Sequence, residues 1–137
     1  MRTFIDTSAF YALLDRDDAN HARAAECWPR LLSPEDLLLT SNYVVVETTA
    51  LVQRRLGNRA TASFLADILP VVQVRFISER EHEAAQAAFL LADRRKRSLV
   101  DCSSFEIMRR LGLTRAFTFD RHFAQLGFEL TVSPGRG

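Results

Sequence analysis

Short apolar runs alternate with helical stretches along the chain, and this alternation predicts an α/β protein. Three observations carry the prediction. Five runs have strand length and composition, each is separated from the next by at least one helical pattern, and capping signals punctuate the helices. Such a chain builds a central parallel sheet of about five strands with helices on both faces. Thr3-Phe4-Ile5 reads as the first strand, and a helix follows from about Ser8 to Leu14. A second helix starts near Asp18 and carries Ala24, Ala25, Trp28, Leu31 and Leu32 on one stripe, with Pro29 expected to kink or divide it. Leu37 to Thr40 is the second strand. Residues 43–56 have helical spacing, although Val44-Val45-Val46 favours a strand by propensity. After Gly57-Asn58 a helix over 60–69 ends at Pro70, and Val71 to Ile77 is the third strand. Ser78-Glu79-Arg80-Glu81 is a capping box that opens a helix to about Arg94. Ser98 opens another, and Gly112 closes it. Ala116 to Phe119 is the fourth strand, Asp120 to Leu126 a short helix, and Phe128 to Val132 the fifth strand.

The 137 residues suit one domain, residues 1–132, with a loose tail at 133–137. A chain of this size buries about two-thirds of its unfolded surface, enough for a core without disulfides. Cys27 and Cys102 match no zinc or redox spacing and read as ordinary thiols of a reducing compartment. The chain opens without a signal-peptide pattern and has no apolar run of membrane-spanning length, so a cytoplasmic location is expected. With 18 basic and 17 acidic residues the net charge is only +1, too small for nucleic-acid binding by bulk charge alone.

The acids stand in unusual places. Asp6 closes the first strand and Asp120 the fourth. Glu47 has Tyr43, Val44, Ala50 and Leu51 as its helical neighbours and is expected along the buried stripe. Asp101 follows Leu99-Val100 at the start of its helix. Each has an ordinary alternative: Asp6 and Asp120 as helix caps, Asp101 as the partner of Ser98 in a capping box, Glu47 in a buried ion pair with an arginine. Together they suggest more. Ligands of parallel sheets bind beyond the carboxyl ends of the strands, where Asp6 and Asp120 converge. Clustered carboxylates repel, and a hard divalent cation such as Mg²⁺ or Mn²⁺ relieves the repulsion. His21, His82 and His122 lack paired zinc spacing, and His21 reads as a packed or capping residue. The P-loop, dinucleotide-binding and GxSxG motifs are absent. A phosphatase of the haloacid-dehalogenase type needs a second Asp at position 8, where this chain has Ser8.

Phe4-Ile5-Asp6-Thr7-Ser8-Ala9-Phe10 resembles the opening motif of PIN-domain nucleases. Val46-Glu47 resembles their helical glutamate, Leu99-Val100-Asp101 their third acid, and Thr118-Phe119-Asp120-Arg121-His122-Phe123 with Leu126-Gly127 their closing block. Length and motif order are similar to the VapC toxins of toxin–antitoxin pairs. The resemblance implies a PIN-like fold and a Mg²⁺- or Mn²⁺-dependent endoribonuclease. It implies that Asp6 and Asp101 bind metal directly, that Glu47 and Asp120 complete the site directly or through water, and that Thr7 and Thr118 are supporting hydroxyls. It also implies a homodimer and a VapB-type antitoxin whose tail covers the site. Arg94, Arg95, Lys96 and Arg97 are candidates to hold the RNA backbone, or else a solvated helix end. The competing readings are a PIN-like module that binds RNA or protein without cutting, and a metal-dependent phosphatase.

Overall fold

Thr3, Phe4 and Ile5 have no exposed surface, so both faces of the strand they form are covered. That strand, β1 (Arg2–Ile5), is the middle of five. The others are β2 (Leu37–Ser41), β3 (Gln73–Arg75), β4 (Arg115–Phe117) and β5 (Glu129–Leu130), in the spatial order β3-β2-β1-β4-β5. Every pairing is parallel. The computed structural model describes residues 1–92 and 97–132, so the expected tail at 133–137 and Arg94, Arg95 and Lys96 lie outside the described residues.

Seven α-helices occur among the described residues: α1 (Thr7–Leu14), α2 (His21–Leu31), α3 (Asn42–Leu56), α4 (Asn58–Ser63), α5 (Glu79–Leu91), α6 (Leu99–Leu111) and α7 (Arg121–Gln125). Residues 43–56 are helical despite the valine run, because Ser41 caps the helix through the Val44 amide and Val44, Thr48 and Val52 form a buried stripe at fourfold spacing. That stripe leaves Glu47 half-buried at its edge rather than along it. Pro29 does not divide α2: it sits in the last turn, and its carbonyl receives the Leu32 amide as the helix ends. The expected helix over 60–69 is instead α4, then a π-turn at Phe64–Ile68 and a 3₁₀ turn at Leu69–Val71 containing Pro70. The turn absorbs Val71, which shortens β3. β4 stops two residues earlier than expected, because the Phe119 amide turns out of the ladder to donate to the Ser8 hydroxyl at 2.9 Å.

The core is rich in phenylalanine. Phe10 meets Phe64 edge-on at 5.0 Å, and Phe105 meets Phe123 at 4.8 Å. His21 Nδ1 lies 2.7 Å from the Ala12 carbonyl oxygen, the local packing role anticipated for it. Cys27 and Cys102 are buried free thiols. No helix among the described residues is long and apolar enough to cross a membrane.

The turn from β3 into α5 is held by a buried carboxylate. Glu81 accepts the Ser78 amide at 2.8 Å and two guanidinium bonds from Arg75 at 3.1 and 3.2 Å. The Ile77 amide donates to Asn42 Oδ1 at 2.8 Å, which ties this turn to the start of α3. Burial alone would raise the Glu81 pKa, but the Ser78 and Arg75 bonds outweigh it and hold the carboxyl below its ordinary 4.5. A lowered folded pKa contributes stability above the unfolded value and loses it as pH falls through the folded one. Glu81→Gln is expected to cost about 1.5–3 kcal/mol at pH 7 in denaturant melts. The difference should shrink as pH falls below 4.5.

Candidate functional site

Helices that follow the strands of a parallel sheet begin at its carboxyl edge, and their first residues must satisfy free N–H groups. Three of the sequence-predicted acids do this. Asp6 accepts from the Ser8 amide at 3.3 Å at the start of α1. Asp120 accepts from the His122 amide at 3.0 Å at the start of α7. Asp101 and Ser98 form a reciprocal capping box on α6, each bond 3.0 Å. The capping alternatives therefore hold for these three. Glu47 is different: it forms no ion pair with an arginine among the described residues, and the neighbouring Thr7 hydroxyl favours its ionised form.

Capping does not account for how the acids are placed relative to one another. Asp6 is buried beneath the edge of the sheet. Its Oδ2 receives the Ser8 hydroxyl at 2.8 Å and the Thr118 hydroxyl at 3.0 Å, besides the Ser8 amide. Burial, the charge of Asp101 and then that of Asp120 push its pKa up from 3.8 to about 6, and the two hydroxyl bonds recover only part of the rise. Asp101 is raised as well, first by burial and then by Asp120, against the Ser98 bonds and the His122 charge. Glu47 is raised by burial, with Asp101 adding to the rise and the Thr7 bond opposing it. Four carboxyls from β1, α3, α6 and the β4–α7 turn thus share one electrostatic neighbourhood.

Hydroxyls link the elements that carry the acids. Thr118 Oγ1 also receives the Asp120 amide at 3.0 Å and lies 3.2 Å from Ser8 Oγ. Thr48 on α3 donates to Thr7 Oγ1 at 3.1 Å. Ser8 is given no role of its own by the sequence, yet its hydroxyl joins Asp6, Thr118 and Phe119. His122 is the other addition: its Nδ1 lies 3.0 Å from Asp120 Oδ1. Arg97 lies with its guanidinium over the Phe105 ring, 5.8 Å from the centroid.

The donors collected here are hard oxygens, carboxylate and hydroxyl, which suit Mg²⁺ or Mn²⁺ and not zinc. Among the described residues no three carboxylate, imidazole or thiol groups already form a ligand cage. Asp101 and Asp120 are turned toward their own helix amides. The fit to a divalent cation is one of donor chemistry and charge.

These features define a class: a small α/β protein with a carboxylate-lined centre at the carboxyl edge of a parallel sheet. The chain belongs to the PIN domain family, whose sequence profile matches residues 3–129. It is 37% identical over 126 residues to the 23S rRNA-specific endonuclease VapC20 of Mycobacterium tuberculosis, covering 91% of this chain and 94% of that protein. It is 29% identical over 136 residues to Ribonuclease VapC26 of the same organism, with 95% and 98% covered. The crystal structure of VapC20, described as a sarcin-ricin loop cleaving toxin, matches with a TM-score of 0.83 at 34% identity over 98% of this chain and 99% of that one. VapBC2 from Rickettsia felis, bound to a promoter DNA fragment, shares the fold with a TM-score of 0.67 at 12% identity, covering 95% of this chain and 97% of that one.

A carboxyl whose folded pKa is raised stabilises the protein least when ionised. The native state binds this proton more tightly than the unfolded chain, so stability is lost as pH rises through about 6. A shift of this size corresponds to at most about 3 kcal/mol. In metal-free buffer Asp6→Asn should therefore melt several degrees above the wild type at pH 8, with the gap closing by pH 4. An unchanged or lower melting temperature at pH 8 would contradict the electrostatic account of the site.

Proposed function

We propose that this chain is a Mg²⁺- or Mn²⁺-dependent endoribonuclease and the toxin of a toxin–antitoxin pair. The observation that carries the reading is the buried, proton-hungry Asp6, sharing its neighbourhood with Asp101, Asp120 and Glu47, in a chain similar over most of its length to VapC20. A module that only bound RNA or protein would have no use for ionisable groups kept at this cost.

Asp6 and Asp101 would hold the cation, with Glu47 and Asp120 completing the site directly or through water. A bound divalent cation lowers the pKa of water and offsets the charge of a phosphodiester. The rest is work for the chain itself. Ser8 and Thr118 hold Asp6 Oδ2 in one orientation, so the carboxylate is set before substrate arrives. Thr7, which favours the ionised form of Glu47, is itself fixed by Thr48. The four acids would gather negative charge at one place, where a divalent cation would be held beside the phosphate. In-line attack by the activated water would leave 5′-phosphate and 3′-hydroxyl ends. A VapB-type antitoxin and a homodimer are the partners this reading carries, the antitoxin in keeping with the fold shared with VapBC2 from Rickettsia felis. Arg97 supplies positive charge at the start of α6 for the RNA backbone, and Arg94, Arg95 and Lys96, outside the described residues, are further candidates by sequence.

Cleavage of an RNA pool containing 23S rRNA fragments tests the proposal. Activity is expected with Mg²⁺ or Mn²⁺ and none with EDTA. Asp6→Asn should lose more than about 100-fold. Ser8→Ala, which removes only a support, should lose about 10- to 100-fold. Equal cleavage under all these conditions would exclude a metal-dependent nuclease.

A further inference from the structure

A carboxylate centre that handles a phosphate has no need of apolar surface beside it, yet this one has it. Asn42, Tyr43, Val46, Glu47 and Val100 line an open pocket of about 390 Å³. Its position is specific. Glu47 belongs both to this pocket and to the acid neighbourhood, and Val100 immediately precedes Asp101. The pocket therefore opens between the first turns of α3 and α6, directly alongside the acids.

The walls are held in place. Tyr43 is fixed by a hydrogen bond between its hydroxyl and His82 Nδ1, and the His82 ring packs edge-on against it with centroids 5.7 Å apart. Asn42 is fixed by the Ile77 amide. Val46 is 68% exposed and so contributes little to the core of the protein it belongs to.

We propose that this pocket is a subsite for one unpaired nucleobase of the RNA strand, next to the scissile phosphate. The inference rests on the ribonuclease reading and adds to it a residue-level source of specificity. The chemistry selects a base over other occupants. A base has apolar faces and a polar edge, which matches apolar walls beside the half-buried Glu47 carboxylate. Its ring or exocyclic N–H groups can donate to that carboxylate. An apolar side chain from another protein would desolvate Glu47 without giving it a partner. RNA is read chiefly through unpaired bases set against aromatic side chains, and Tyr43 supplies one. The placement also fits, since the pocket shares Glu47 with the acid neighbourhood and a base next to the scissile phosphate lies beside it on the strand. Glu47 then borders both the acid cluster and the base, and Val46 supplies apolar wall to the base alone.

The test uses one RNA oligonucleotide that the wild-type chain cleaves with Mn²⁺, and a series in which each position flanking the cut is made abasic. For the wild type, one abasic position is expected to lower kcat/KM by about 5- to 100-fold, the range of a lost base-stacking contact. In Val46→Ser and in Tyr43→Ala the same abasic change should cost less than about twofold, because the base and its wall act as one pair. Melting curves confirm that both variants are folded, and the exposed position of Val46 keeps that arm informative if Tyr43→Ala loses the His82 bond. Indifference of the wild type to every abasic position, or equal sensitivity in wild type and variants, would overturn the subsite while leaving the ribonuclease reading intact. Loss of a dimer in light scattering by Val46→Ser, with abasic sensitivity unchanged, would assign the pocket to a second copy of the chain and overturn it too. If the wild type cleaves no RNA at all, the ribonuclease reading falls and the subsite falls with it.

Discussion

The fold and the site meet at the Asp6 carboxylate. It leaves the central strand at the point where β1 becomes α1, and the Asp6 amide still belongs to the sheet through the Phe117 carbonyl at 3.1 Å. Its side chain accepts from Ser8 and Thr118, so residues 110 positions apart in the chain are drawn to a single oxygen. Thr118 in turn holds the Asp120 amide, and Ser8 the Phe119 amide. The early end of β4, the start of α7 and the placement of Asp120 all follow from hydrogen bonds that converge on this residue. An ionised carboxylate buried among other acids is costly, and these donors only partly relieve it. Native proteins keep such groups where function requires them.

The acids also do a second, structural job. Asp6, Asp101 and Asp120 cap α1, α6 and α7. Capping places these negative charges at the positive ends of the helices and uses only part of each carboxylate. A carboxylate has two oxygens, and in Asp6 the donors gather on Oδ2. The same economy explains why each acid, considered singly, passes for an ordinary cap. Only their convergence separates the two roles.

Much of this was legible in the sequence. The order of strands and helices, the Ser78 and Ser98 capping boxes and the Gly112 terminator are local signals, and the structure keeps that order, both boxes and the glycine, while strand lengths differ. The acids were legible because carboxylates at strand ends and among apolar neighbours are rare. What was not legible depends on contacts distant in the chain. The shortened β4 follows from a bond between Phe119 and Ser8, which no window on residues 116–119 contains. The importance of Ser8 has the same origin. The π-turn at Phe64–Ile68 depends on how the chain must arrive at β3 beside β2, and the exposed Val46 beside Glu47 emerges only when α6 is set against α3. The position of Glu47 at the edge of its stripe was missed because an i±3/i±4 count does not say which neighbours face the sheet.

In the proposed function the four acids would form one cation site with Asp6 at its base. Mn²⁺ binding to the metal-free protein, followed by electron paramagnetic resonance of the free ion, measures this without recourse to catalysis. Saturable binding is expected for the wild type and is expected to be lost in Asp6→Asn and in Asp101→Asn while both variants remain folded. Absence of saturable binding by the wild type, or binding unchanged in both variants, would contradict it.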